Sequence, residues 1–188
     1  MKYYILNSDD TNMDKYIMCD SAAIGDTNQY DVMSGRRIGS WEEKVLLYSS
    51  SNKETIPDYI DNSLGWFVVK LECKDMIVKY FGEFVEVLPV TVRDRNNIEP
   101  DFTAYVINVV DVVEHAIDMQ LSKYRVRKFM DKELISFQSH VLSEVKLNGH
   151  HIFKASEHLL ITFIDETFKN IIEENKFTGF RFDDVDSV

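Results

Sequence analysis

The run Phe102 to Val113, with Tyr105-Val106-Ile107-Asn108-Val109-Val110 at its centre, does most to limit what this chain can fold into. An unbroken series of β-branched and aromatic residues suits a pleated strand far better than a helix. Weaker segments agree with it. Tyr3 to Leu6 reads as a short first strand and Trp66 to Leu71 as another. Phe84 to Val92 alternates apolar and polar residues, and Pro89 places that strand near an edge or a bulge. Leu134 to Leu147 reads as one or two strands reaching a hairpin turn at Asn148-Gly149, with Ile152-Phe153 opening the return strand. Leu159 to Ile164 and Phe180 to Phe182 add two short strands.

Two helices interrupt this pattern. Cys73, Met76, Ile77, Tyr80 and Phe81 form one apolar stripe at helical spacing, which Gly82 ends. Asp165 is placed to cap a second helix carrying Phe168, Ile171 and Ile172 on one face, with Gly179 beyond its end. Residues 7–35 are polar and acidic and read as loop, with an extended piece at Tyr16 to Met18. Ser49 to Lys53 reads as a polar turn, and residues 93–101 as another loop. Pro57 holds its neighbour extended. Strands and helices do not alternate strictly, which disfavours a parallel α/β sheet. The expected fold is α+β, mainly antiparallel sheet with about two packed helices. Residues 1–188 are expected to form a single domain, long enough to bury a sizeable core.

Charge narrows the functions open to such a fold. The net charge is −11, which disfavours a general nucleic-acid binder and docking on an anionic membrane, and would attract a basic partner. No apolar run exceeds four residues, so none can span a bilayer, and Tyr3 to Leu6 is too short for a signal peptide. Two cysteines, Cys19 and Cys73, make no disulfide framework. A cytoplasmic location is expected.

Motifs for catalysis are weak or missing. Asp111, Glu114, His115 and Asp118 would share a face of a helix, as acid–base or metal groups might, but they start inside a β-rich run that would split them between faces. His140, His150, His151 and His158 lack the tight ligand pairing of a zinc site. Cys73 lies on the apolar stripe, and acidic neighbours make Cys19 a poor nucleophile. There is no P-loop, no dinucleotide fingerprint and no Gly-x-Ser-x-Gly elbow. No catalytic residue, metal ligand or cofactor is therefore assigned. Two charged segments remain. Residues 122–132 carry Lys123, Arg125, Arg127, Lys128 and Lys132 against Asp131 alone, with Tyr124 and Phe129 between them. Residues 165–188 carry seven acids against three bases. Glu173, Glu174, Asp183, Asp184 and Asp186 are the candidate partner-binding residues, since acidic side chains speed encounter with a basic protein.

The order of several motifs carries a family resemblance. They are Tyr3-Tyr4-Ile5-Leu6-Asn7, Ser34-Gly35-Arg36-Arg37-Ile38-Gly39-Ser40-Trp41, Pro57-Asp58-Tyr59 and Val85 to Val90. The central Tyr105 to Val113 follows, then Ile152-Phe153-Lys154, the helix from Asp165, and Phe177-Thr178-Gly179-Phe180-Arg181-Phe182. This succession covers nearly the whole chain and resembles immunity family eleven, the myxobacterial-type immunity proteins of bacterial polymorphic toxin systems. The resemblance implies a cytoplasmic protein that binds and neutralises a cognate toxin, with no catalysis of its own. The partner would be a toxin or effector C-terminal domain encoded next to it. Trp41, Pro89, Asn108, Asp111, Gly179 and Phe182 match the family pattern and are read as structural. The acidic stretch 8–33 departs from the pattern, and the basic island 122–132 has no family reading. An adaptor or chaperone for a secreted effector is the alternative, then a small enzyme built on Asp111, His115 and Asp118. Exposed strand edges would allow a homodimer.

Overall fold

The computed structural model describes residues 1–12, 15–49, 55–129 and 132–188. In chain order the first half holds β1 (Tyr3–Ser8), β2 (Met18–Cys19), β3 (Ser21–Ala23), β4 (Val45–Tyr48), β5 (Tyr59–Asn62), β6 (Val68–Val69), α1 (Leu71–Phe81) and β7 (Val85–Asp94). The second half holds β8 (Phe102–Val109), β9 (Val112–Val113), β10 (Lys123–Phe129), β11 (Lys132–Ser139), β12 (Val141–Leu142), β13 (Ile152–Ala155), β14 (His158–Asp165), α2 (Glu166–Glu174) and β15 (Phe180–Ser187).

The strands form a seven-stranded sheet, β2-β5-β6-β8-β7-β4-β3, a six-stranded sheet, β12-β15-β1-β14-β13-β9, and a separate two-stranded ribbon, β10-β11. Two helices on a mostly β framework match the α+β expectation, but both large sheets are mixed. β4 runs parallel to β7, β2 to β5, β9 to β13 and β12 to β15. Each parallel pair is joined by a long crossover, such as β5, β6 and α1 between β4 and β7, because parallel neighbours cannot be linked by a tight turn.

The two large sheets share one core. Tyr4 and Leu6 of β1 meet Ile107 and Val109 of β8 there, together with Cys73, Ile77 and Phe81 of α1 and Phe168 and Ile172 of α2. The Phe81 and Phe168 rings lie 5.0 Å apart. Each sheet is also covered on its other face. Ala104 and Val106 of β8 join a second core with Trp66 and Leu46, and Tyr3, Phe153 and Phe163 join a third. This double coverage explains the unbroken apolar run in β8, since both alternating sets of side chains are buried.

Several local expectations change in the tertiary setting. Only Val68–Val69 pairs as strand within Trp66 to Leu71. The Asn62 amide grips the Trp66 backbone, donating to its carbonyl (2.8 Å) and accepting from its N–H (3.1 Å), and α1 begins at Leu71. Tyr80, on the apolar stripe of α1, is 49 % exposed. β7 runs on to Asp94, whose buried carboxylate accepts from the N–H groups of Asn96, Ile98 and Glu99 and so starts the loop. Asn148-Gly149 is a turn but joins no hairpin. Leu147 is buried, β12 pairs with β15, and β13 pairs with β14 and β9. A turn of 3-10 helix at Glu144–Lys146 separates the segments that were expected to pair. Past Ser49, the polar turn at residues 50–53 lies outside the described residues.

Candidate functional site

Two of the residues that carry the resemblance, Asn108 and Trp41, tie loop to the seven-stranded sheet. Asn108 is fully buried in β8, and its Nδ2 donates to the Arg36 carbonyl (2.8 Å) and to Glu86 Oε2 (2.9 Å). The same carboxylate oxygen accepts from the Ile38 N–H (2.9 Å), so one acid and one amide pin the 36–38 backbone over the sheet. Trp41 Nε1 donates to the Pro89 carbonyl (2.7 Å), and its ring lies 5.7 Å from that of Trp66. Pro89 precedes Thr91, where pairing with β4 begins, so its missing N–H faces an unpaired stretch of strand edge. Asp111 bonds His150 Nδ1 (2.7 Å). Phe182 packs 6.4 Å from Tyr4. Gly179 has φ +83°, and a Cβ there would fall on the Tyr59 carbonyl and 2.8 Å from Pro57 Cβ.

The five acidic candidates lie on two elements, the end of α2 and β15. Glu173 and Glu174 are exposed in the last turn of α2, and Glu173 faces Lys169 (3.7 Å). Asp184 and Asp186 are exposed on β15. Asp183, one residue out of phase with them, accepts from Asn7 Nδ2 (2.7 Å) and pairs with Arg181 (3.2 Å). Arg181 also meets Asp10. Hydrogen bonding to Asp10 leads the effects that raise the Arg181 pKa. Glu174, Asp184 and Asp186 are the members with no cation beside them among the described residues.

The histidines and acids of the central segment separate. His115 is exposed, has φ +56° and stands 3.5 Å from Glu157. Asp118 accepts from the N–H groups of Gln120 and Leu121. His151 bonds the buried Asp165 (2.8 Å), and His140 bonds His158 (3.0 Å). Asp111, His115 and Asp118 therefore each serve a different local contact. Among the described residues no three His, Cys, Asp or Glu side chains are grouped to hold a metal ion. Burial, and then the neighbouring His158, pushes the His140 pKa down to about 4. Burial raises both thiols, Cys19 to about 12, where Asp20 and Asp61 add to the effect.

One cavity of about 140 Å³ opens between the two large sheets. Ser8, Asp61, Trp66, Lys154 and Thr162 are among its lining residues. Lys154 is buried and donates to the Leu159 carbonyl (2.8 Å), and burial lowers its pKa to about 8. Ser8 Oγ donates to Asp61 Oδ1 (2.8 Å). No histidine lines the cavity, so this hydroxyl lacks the imidazole that activates a serine nucleophile.

The basic island supplies a feature that the sequence reading missed. Its described residues form β10 and the start of β11, a ribbon that among the described residues joins neither large sheet; residues 130 and 131 lie outside them. Tyr124 stands opposite Phe137 and Val126 opposite Ile135, making one face apolar. Arg125 stands opposite Ser136 and Arg127 opposite Leu134, making the other face cationic. The period-2 alternation Tyr124-Arg125-Val126-Arg127 was the available signal, hidden by reading the segment as a charge cluster.

A sequence model described as an immunity protein family (Imm11) matches residues 2–187. A search of curated proteins found no match. No helix among the described residues is long and apolar enough to cross a membrane. The family match runs through both large sheets, both helices and the ribbon, and by it the chain belongs to the Imm11 immunity protein family.

Proposed function

We propose that this protein neutralises a cognate bacterial toxin in the cytoplasm by binding its catalytic domain and blocking the active site or a surface beside it. The family match over residues 2–187 carries this reading. The fold is consistent with it: Asp111, Asp118, Asp165, His150 and His151 are engaged in local hydrogen bonds, and Glu174, Asp184 and Asp186 are exposed. A tight inhibitor covers on the order of 1,600 Å² of total surface, which a folded chain of this size can supply without catalysis. Glu174, Asp184 and Asp186, with Glu173 and Asp183 near them in sequence, would steer a basic toxin domain toward the complex. Residues 1–188 would act as one domain, and the partner would be the C-terminal domain encoded by the adjacent gene. A homodimer through the large sheets would have little backbone to pair, because β2, β3, β9 and β12 at their edges are two or three residues long.

Co-expression with that neighbouring domain tests the reading. Restored growth together with a co-purifying complex is the expected result. A complex without rescue would identify an adaptor instead, and neither binding nor rescue would overturn the assignment for this pair.

A further inference from the structure

The β10–β11 ribbon leaves Val126, Leu134 and Ile135 exposed. A two-stranded hairpin is marginally stable alone, so something must hold its base. Phe137 does this: its ring lies 4.7 Å from that of His140 and 5.1 Å from that of His158, and Tyr124 packs 5.8 Å from it. Beyond that stack Arg125, Val126, Arg127, Leu134 and Ile135 are exposed. Val126 is 47 % exposed and Ile135 43 %, paired with each other on one face. On the opposite face Arg125 and Arg127 are exposed; Arg125 donates to the Gln138 amide oxygen (3.1 Å), and among the described residues neither arginine meets a carboxylate. The chain as a whole carries −11, yet this ribbon displays Arg125 and Arg127 on one face and an exposed apolar pair on the other.

We infer that the β10–β11 ribbon is the part of this protein that enters the cognate toxin domain, laying Tyr124, Val126 and Ile135 on an apolar wall and giving Arg125 and Arg127 to carboxylates in the same groove. The inference rests on the toxin-binding reading above and names the surface and the chemistry of its partner. Charge decides the occupant. A polyanion such as nucleic acid would be repelled by the rest of the chain, whereas a toxin with a basic surface and a carboxylate-lined groove complements both the acidic body and the cationic ribbon. The arrangement suits a binding centre, because arginine and aromatic side chains beside apolar ones give the largest contributions at interfaces. The stacked base keeps the ribbon ordered before contact, which lowers the entropy cost of docking.

The test measures the affinity of the full chain for the inactivated C-terminal toxin domain encoded by the adjacent gene. R125E/R127E should weaken binding by about 100-fold or more and V126S/I135S by about 10-fold or more, magnitudes typical of central interface residues. Both variants should keep the wild-type unfolding midpoint, because these side chains face solvent, and R125K/R127K should recover part of the lost affinity. Wild-type affinity in both disruptive variants would overturn the inference while leaving the toxin-binding reading intact. Failure of the unaltered chain to bind the domain would overturn both. Two further outcomes would reassign the ribbon and overturn the inference: a wild-type dimer that V126S/I135S turns into a monomer, or binding of a single-stranded oligonucleotide that R125E/R127E abolishes.

Discussion

Single residues in this protein earn their place through more than one contact. Asp165 is fully buried, accepts from the Phe168 N–H (2.9 Å) as the cap of α2, and holds His151 with its other oxygen. Replacing it by Ala removes the cap and leaves an imidazole nitrogen without its partner. D165A should therefore cost roughly 2–3 kcal/mol in urea denaturation. Lys154 gives the opposite case. Burial lowers its pKa to about 8, so its ammonium is penalised in the fold. Between pH 8 and the ordinary lysine value the unfolded chain binds more protons than the folded one, so stability rises with pH across that window. K154M should be more stable at neutral pH by about 1–2 kcal/mol, and its stability should no longer rise above pH 8. An unchanged alkaline slope would show that Lys154 is not the titrating group.

At the scale of elements, the ribbon depends on a junction that acid should loosen. His140 and His158 are both held below their ordinary range, His140 by burial and then His158, His158 by burial and then Lys154. A histidine whose folded pKa is depressed leaves the unfolded state binding more protons, so stability falls as pH drops from about 6.5 toward 4. H140F, which keeps a ring against Phe137 without a charge to gain, should be less sensitive to acid over that range. Hydrogen exchange of the β10 and β11 amides against pH would read this directly. Equal acid sensitivity in H140F would place the titration elsewhere.

For the whole molecule, the prediction concerns encounter. An acidic chain and a basic toxin domain attract over a Debye length of about 8 Å at physiological salt, so the association rate should fall by about 10-fold or more between low and physiological ionic strength. D184N/D186N should shallow that dependence with little change in dissociation, measured by stopped-flow mixing with the neighbour-encoded domain. A salt-independent association rate would sink the steering role of the acidic residues. On the proposed reading the acids would serve approach and the ribbon would serve hold.

Sequence alone determined what short-range physics governs. Side-chain shape wrote β8 and β14, helical spacing wrote α1 and α2, and the Asp165 cap was readable because its cause lies within a few residues. The order of motifs also determined the family. Tertiary structure decided whatever depends on distant partners. It converted the Asn148-Gly149 turn from a hairpin into a corner, because β12 and β13 found better partners in β15 and β14. It gave Asp111, His115 and Asp118 separate partners, and it set Asp183 against Asn7. It also set Tyr124 and Val126 across from Phe137 and Ile135. Strand pairing is a long-range choice made by whichever edge buries most, and no local pattern of residues contains that information.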